Sequence, residues 1–247
     1  MPFDLGLGQT AALSIALFGA AFVRGYSGFG FSAIFIAFAA LITNPLPLIP
    51  VVFACEMLMT VFQARGIRGH VDWRRVFALL AGAAIVLPAS VWFILSLGEG
   101  AVRLAVSFIV LVMSLILLAG WSLPAIRTSG HVGVGAVSGL CNSAGIGGLP
   151  VAAFMAAQPM EAARFRATMI VYLTGLDLIT MPLLWAGGLV TWETALGVTL
   201  AFPLLGLGVW LGGRKFLAAS PSTFRRFAVM LLLTLSLLGL LRAIIRI

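Results

Sequence analysis

Charge is what this 247-residue chain has least of. Charged residues make up 9% of it and hydrophobic residues 62%, with 7 acidic side chains against 15 basic ones. Soluble domains carry about 25% charged and about 45–50% apolar residues. A water-soluble fold of this length could not cover so much apolar surface, so composition excludes that class. Histidine and cysteine are equally sparse: His70, His131, Cys55 and Cys141 are the whole supply. Both histidines fall where cytoplasmic loops are predicted, no serine pairs with either, and no set of metal ligands is spaced along the chain. The cysteines lie inside apolar or glycine-rich stretches and flank no exposed loop, so they mark no redox compartment. No catalytic residue, metal site or cofactor follows from this inventory. The start, Met1-Pro2-Phe3-Asp4, lacks the basic region of a signal peptide, and the first apolar run reads as mature structure.

What the chain has in excess is basic charge and apolar length. A net charge of +8 in a soluble protein would suggest nucleic acid. Here the basic residues sit in short gaps between apolar runs, where their effect is topological, and nucleic acid is not a predicted partner. A membrane-spanning helix needs roughly 20 mostly apolar residues. Six runs qualify, at 48–64, 75–97, 102–120, 161–187, 193–213 and 223–245. Four shorter runs, 9–23, 30–43, 132–141 and 148–158, form two pairs, each joined by a glycine-rich break. The first break is Arg24-Gly25-Tyr26-Ser27-Gly28-Phe29-Gly30 and the second is Asn142-Ser143-Ala144-Gly145-Ile146-Gly147-Gly148. Clustered glycines predict unwound backbone, which survives in a bilayer only within protein or beside a water-filled cavity. Each pair is either a re-entrant hairpin or two brief spans.

The order short, break, short, long, long, long occurs twice. A shift of 119 residues places Gly28 on Gly147 and Val71-Asp72-Trp73 on Val190-Thr191-Trp192; a shift of 122 places Ser114 on Ser236. The predicted fold is an all-α, polytopic transmembrane bundle of two inverted repeats, 1–122 and 131–247, which together make one transmembrane domain. Each repeat makes an odd net number of crossings, so the second must be upside down. Loop charge agrees. The gap holding Arg65, Arg68, Arg74 and Arg75, against Asp72, has a counterpart with only Glu193, and the gap holding Arg214, Lys215, Arg225 and Arg226 has a counterpart with Glu99 and Arg103. The basic gaps would face the cytoplasm of an inner-membrane protein and both termini would lie outside, with Arg242 and Arg246 as mild exceptions.

Inverted repeats with paired broken helices are a transporter pattern, with the substrate near the midplane at the repeat interface. Helix N-termini starting near Phe31 and Leu149 would offer N–H groups to an anion. Gly25, Gly28, Gly30, Gly145, Gly147 and Gly148 would let backbone approach it, and Tyr26, Ser27, Asn142 and Ser143 would add neutral donors. The same glycines also suit close helix packing. Arg24 reads either as an anion ligand or as an interfacial anchor. Glu56 and Asp177 lie deep in apolar runs, where a central charge costs roughly 2.5–3.5 kcal/mol, and are candidates for proton coupling or for a structural hydrogen bond. Glu161, Arg164 and Arg166 read as anchors at a helix entry.

The two breaks, with Val-Asp-Trp at 71–73 after a basic loop and Val-Thr-Trp at 190–192, resemble the sulfite exporter TauE/SafE family of membrane permeases over nearly the whole chain. The resemblance implies transport of small anions, among them sulfite, thiosulfate and organosulfonates such as sulfoacetate. Members often carry consecutive glycines in the first break, which Tyr26, Ser27 and Phe29 interrupt here, and that departure bears on the substrate. The expected function is export, since a membrane potential negative inside drives an anion outward by about 2.3 kcal/mol per charge per 100 mV. An anion channel and an intramembrane enzyme around Gly25-Tyr26-Ser27-Gly28 are the alternatives. The expected partners are the anion, the lipid bilayer and, as an open alternative to a monomer, further copies of the chain.

Overall fold

The computed structural model describes residues 3, 5–119 and 128–216, together with Leu233 and Leu237. Among these residues the structure is all helical, with no strand. The helices are α1 (Leu7–Ser27), α2 (Phe31–Ile42), α3 (Ile49–Ile67), α4 (Trp73–Ser96), α5 (Glu99–Ala119), α6 (Thr128–Asn142), α7 (Gly148–Ala156), α8 (Ala162–Ala186) and α9 (Trp192–Phe216). Their starts follow local chemistry. Asp72 caps α4 by accepting the Arg75 amide at 3.2 Å. Glu99 and Glu193 place negative charge in the first turns of α5 and α9. Pro50 sits in the first turn of α3, where its missing N–H goes unused. The two matched tryptophans, Trp73 and Trp192, each open a helix.

Six helical stretches among the described residues are long and apolar enough to cross a bilayer: Leu7–Ser27, Leu46–Ile67, Trp73–Ser96, Glu99–Ile116, Ala162–Ala186 and Trp192–Arg214. Five match predicted long runs. The sixth, α1, is a correction: the run at 9–23 reads as short because Arg24 ends it, yet the helix continues to Ser27. The predicted run at 223–245 lies outside the described residues, apart from Leu233 and Leu237. The outward faces suit lipid. Ile85, Trp92, Trp185 and Trp192 are each more than 70% exposed, a surface that water would not tolerate. The chain is therefore a multi-pass membrane protein.

The closest helix pairs are α1 with α9 and α4 with α6. Both rest on small residues, as membrane interfaces do. A Cβ on Gly25 would lie 2.5 Å from the Val209 carbonyl oxygen, and one on Gly212 would overlap the Phe22 carbonyl. At the other pair, Gly82 and Gly135 meet the Val132 and Leu79 carbonyls in the same way. Between these flanks α3 crosses α8, while α3 also packs on α9 and α8 on α4. The short α2 and α7 fill the interior, and every described residue of α2 from Phe31 to Ala37 is buried. His131, predicted in a cytoplasmic loop, is instead buried inside α6 with its ring edge against Phe154.

Candidate functional site

The last turn of α1 carries a fully buried guanidinium. Arg24 Nη1 lies 3.1 Å from Glu56 Oε1 on α3, with both side chains excluded from solvent. Arg24 Nη2 donates to Thr60 Oγ1 at 3.2 Å, one turn further along α3. Thr60 Oγ1 is in turn 2.7 Å from Thr174 Oγ1 on α8, so the α3·α8 crossing is hydrogen-bonded at its centre. Asp177, one turn beyond Thr174, is fully buried. Among the described residues no amide, hydroxyl or guanidinium donates to its carboxyl. That carboxyl stands in the field of both Arg24 and Glu56. Taking each ion out of water costs several kcal/mol, so such a cluster is weak evidence for stability and better evidence for a working site. Arg24 is thus no interfacial anchor; it links α1 to α3 in the middle of the protein.

The breaks are narrower than predicted. Arg24, Gly25, Tyr26 and Ser27 belong to α1, and Asn142 ends α6, leaving Gly28–Gly30 and Ser143–Gly147 as the non-helical backbone. The reason is that the buried ion pair lets α1 continue through Arg24, while glycines away from the turn serve packing. Gly28 and Gly30 have φ of 83° and 91°, a left-handed geometry that L side chains rarely adopt, and they reverse the chain around Phe29. Gly28 closes α1 by donating to the Arg24 carbonyl at 2.8 Å. Its bare Cα admits Arg166 of α8, whose Nη2 donates to the Gly25 carbonyl at 2.8 Å. Phe29 meets Phe165 edge-on. In the second break, Gly145 has φ 77° and abuts Ile36 of α2, and Gly148 abuts Leu173 of α8. Gly147 has no room for a Cβ beside Asn142, and its carbonyl accepts from Ser138 Oγ.

The predicted neutral donors are mostly committed. Ser27 Oγ lies 2.8 Å from the carbonyls of Val23 and Phe29. Ser143 Oγ donates to the Leu140 carbonyl at 2.9 Å, and Asn142 Nδ2 donates to Thr180 Oγ1 at 2.9 Å. Tyr26 is buried in the α1 terminus. The structure therefore brings Arg24, Glu56 and Asp177 together at the α3·α8 crossing. The first break adjoins this cluster through the Gly28 bond to the Arg24 carbonyl, and each break packs against helices from the other part of the chain.

A family model described as "Sulfite exporter TauE/SafE" matches residues 13–238. The chain belongs to the sulfite exporter TauE/SafE family. Members of this family are membrane transporters that export sulfite and related anions. Comparison with curated proteins and with solved structures gives no match.

Several polar residues of this TauE/SafE chain escape sequence reading. Thr60, Thr174 and Thr180 are ordinary in apolar runs, each bonding a carbonyl of its own helix, and only packing gives them partners on other helices. Arg166, read as an anchor, reaches inward to the end of α1. Gln63 is buried on α3, and neither end of its amide has a partner among the described residues, a state worth about 1–3 kcal/mol if nothing else satisfies it. Gln63 and Arg166 line a cavity of about 650 Å³ together with Phe62, Trp210 and Arg214, and no break residue borders it. A polar residue recurring at 56, 60 and 63, a helical spacing, is the one signal that pointed to this face.

Proposed function

We propose that this protein exports a small oxyanion, sulfite or an organosulfonate, across the cytoplasmic membrane through a site at the centre of two inverted repeats. The observation that carries the reading is the solvent-excluded Arg24–Glu56 pair with Asp177 beside it, at the crossing of α3 and α8. Arg24 binds the anion in exchange for Glu56. One guanidinium faces two carboxyls there, so the cluster is neutral when a single proton is shared between Glu56 and Asp177. Arrival of an anion at Arg24 then favours taking up a further proton, which couples the two movements. The N–H ends of α2 and α7 and the breaks at Gly28, Gly30, Gly145, Gly147 and Gly148 add donors and shape the path.

The packing supports the inverted repeat. Matching each helix of the first half to the helix five places later turns α1·α9 into α6·α4, α3·α9 into α8·α4, and α1·α2 into α6·α7, while α3·α8 and α2·α7 map onto themselves; all these contacts occur. Gly66 near the end of α3, Arg166 near the start of α8 and Arg214 near the end of α9 border one cavity, so the basic segments gather at one end of the bundle. By the positive-inside rule that end is cytoplasmic, and both termini are then outside. The test is efflux and counterflow of labelled sulfite, thiosulfate, sulfoacetate and small carboxylates in proteoliposomes. Saturable flux with counterflow supports a carrier; unitary currents would make it a channel, and no flux of any of these anions would overturn the reading.

A further inference from the structure

The cavity between α3, α8 and α9 is built for a ligand of definite chemistry. Its volume is about 650 Å³, and its walls are Phe62, Leu207, Val209 and Trp210 on the apolar side and Gln63, Arg166 and Arg214 on the polar side. Arg166 is fixed by its bond to the Gly25 carbonyl, which holds its positive charge at the cavity wall. Arg214 is exposed and lies over the Trp210 ring, 3.9 Å from its centroid, at the rim of the cavity. Gln63 is only 5% exposed, and its carbonyl and amino group both lack a partner among the described residues. The Nε2 amino group of that buried amide is a donor for a ligand that accepts a hydrogen bond. Two guanidiniums and one amide donor select an oxyanion, and the aromatic walls select one that carries an organic body.

The cavity also has a direction. Gln63 is three residues from Thr60, which is four from Glu56, so all three lie along one face of α3. Arg166 borders the cavity together with Arg214 and bonds the carbonyl of Gly25, the residue next to Arg24. Gln63 in the cavity wall is thus about one helical turn from Thr60 and about two from Glu56.

We propose that the cavity is a second, outlying anion site, formed by Gln63, Arg166 and Arg214, which takes a soluble organic oxyanion at the basic end of the bundle and passes it to Arg24. This inference rests on the export reading and deepens it. It gives the path a waiting position whose occupancy sets the half-saturation concentration, while Arg24 sets the maximal rate.

The experiment uses the full chain in phosphatidylcholine nanodiscs. Leu207→Cys places a thiol on the apolar wall, and a membrane-impermeant thiol reagent bearing a sulfonate reports access to it; the wild type, whose two cysteines are buried, gives the background. Methanesulfonate should slow labelling by about tenfold, neutral dimethyl sulfone should not, and Gln63→Leu or Arg166→Gln should abolish the protection. Phe62→Cys on the facing wall repeats the test if Leu207→Cys does not fold. In proteoliposomes, Gln63→Leu should raise the half-saturation concentration about tenfold with little change in maximal flux. No protection in either cysteine variant overturns the site. So does protection that appears with phosphatidylglycerol nanodiscs and no sulfonate, because the cavity then holds a lipid headgroup. If Gln63→Leu and Arg166→Gln leave half-saturation unchanged while Arg24→Gln still abolishes flux, this site fails and the export reading stands. If Arg24→Gln is also silent, the export reading itself fails.

Discussion

Removing Glu56 and Asp177 singly and together tests whether they form one charge-balancing unit around Arg24. At 3.1 Å, the Arg24–Glu56 attraction is worth about 5 kcal/mol at an effective dielectric of about 20. Desolvating the two ions offsets most of it, so the pair adds little net stability. The informative quantity is the effect of leaving Arg24 without any counter-charge, about 3–5 kcal/mol for a buried ion. Glu56→Gln keeps an oxygen against Arg24 and leaves Asp177 as the anion, so it should cost about 1–2 kcal/mol. Asp177→Asn removes a carboxyl that accepts from no amide, hydroxyl or guanidinium among the described residues and should be close to neutral. The double variant strands the guanidinium and should lose about 3–5 kcal/mol, more than the two singles combined. The assay is equilibrium unfolding in mixed detergent micelles, followed by circular dichroism. Additivity within about 0.5 kcal/mol would refute a shared role. A Glu56→Gln loss as large as that of the double variant would show that Asp177 is no reserve counter-charge.

Other outcomes follow from the packing. Gly25→Ala drives a methyl into the Val209 backbone of α9 and should destabilise by about 1–3 kcal/mol, whereas Gly19→Ala meets nothing within 4 Å and should be neutral or slightly stabilising in thermal unfolding. Ser138 Oγ receives the Tyr172 hydroxyl at 2.6 Å and donates to Gly147. Ser138→Ala therefore strands a buried phenol and should cost about 1–3 kcal/mol, while Tyr172→Phe should be milder; the reverse order would refute this bonding scheme. Cysteines at Gly69 and Gly188, both in open turns, should be labelled by an impermeant reagent from opposite faces of the membrane, the first from the cytoplasm. Labelling of both from one face would remove the inverted topology.

The membrane class and most helices were legible in one dimension because a spanning helix needs length and apolarity, both local properties. The runs at 161–187 and 75–97 differ from α8 and α4 by one or two residues at each end. Where the reading fell short, a contact distant in sequence had changed the meaning of a residue. Arg24 ends an apolar run only while its partner Glu56, 32 residues away, is unseen. Gly25 and Gly82 look like flexible backbone until α9 and α6 are placed against them. The candidate site divided along the same line. Glu56 and Asp177 stood out because a charge in an apolar run is conspicuous, whereas Thr60, Thr174 and Gln63 acquire a role only from the crossing of α3 and α8 and the cavity below it.

Anion flux in the Arg24→Gln variant is the most direct measurement of the central claim. The variant is reconstituted at wild-type folded content and assayed for sulfite and sulfoacetate counterflow against the wild type. Passage through the buried cluster predicts a fall of at least about tenfold, since the anion loses its one charged ligand at the α3·α8 crossing. A folded Arg24→Gln protein that carries both anions at the wild-type rate would contradict the account.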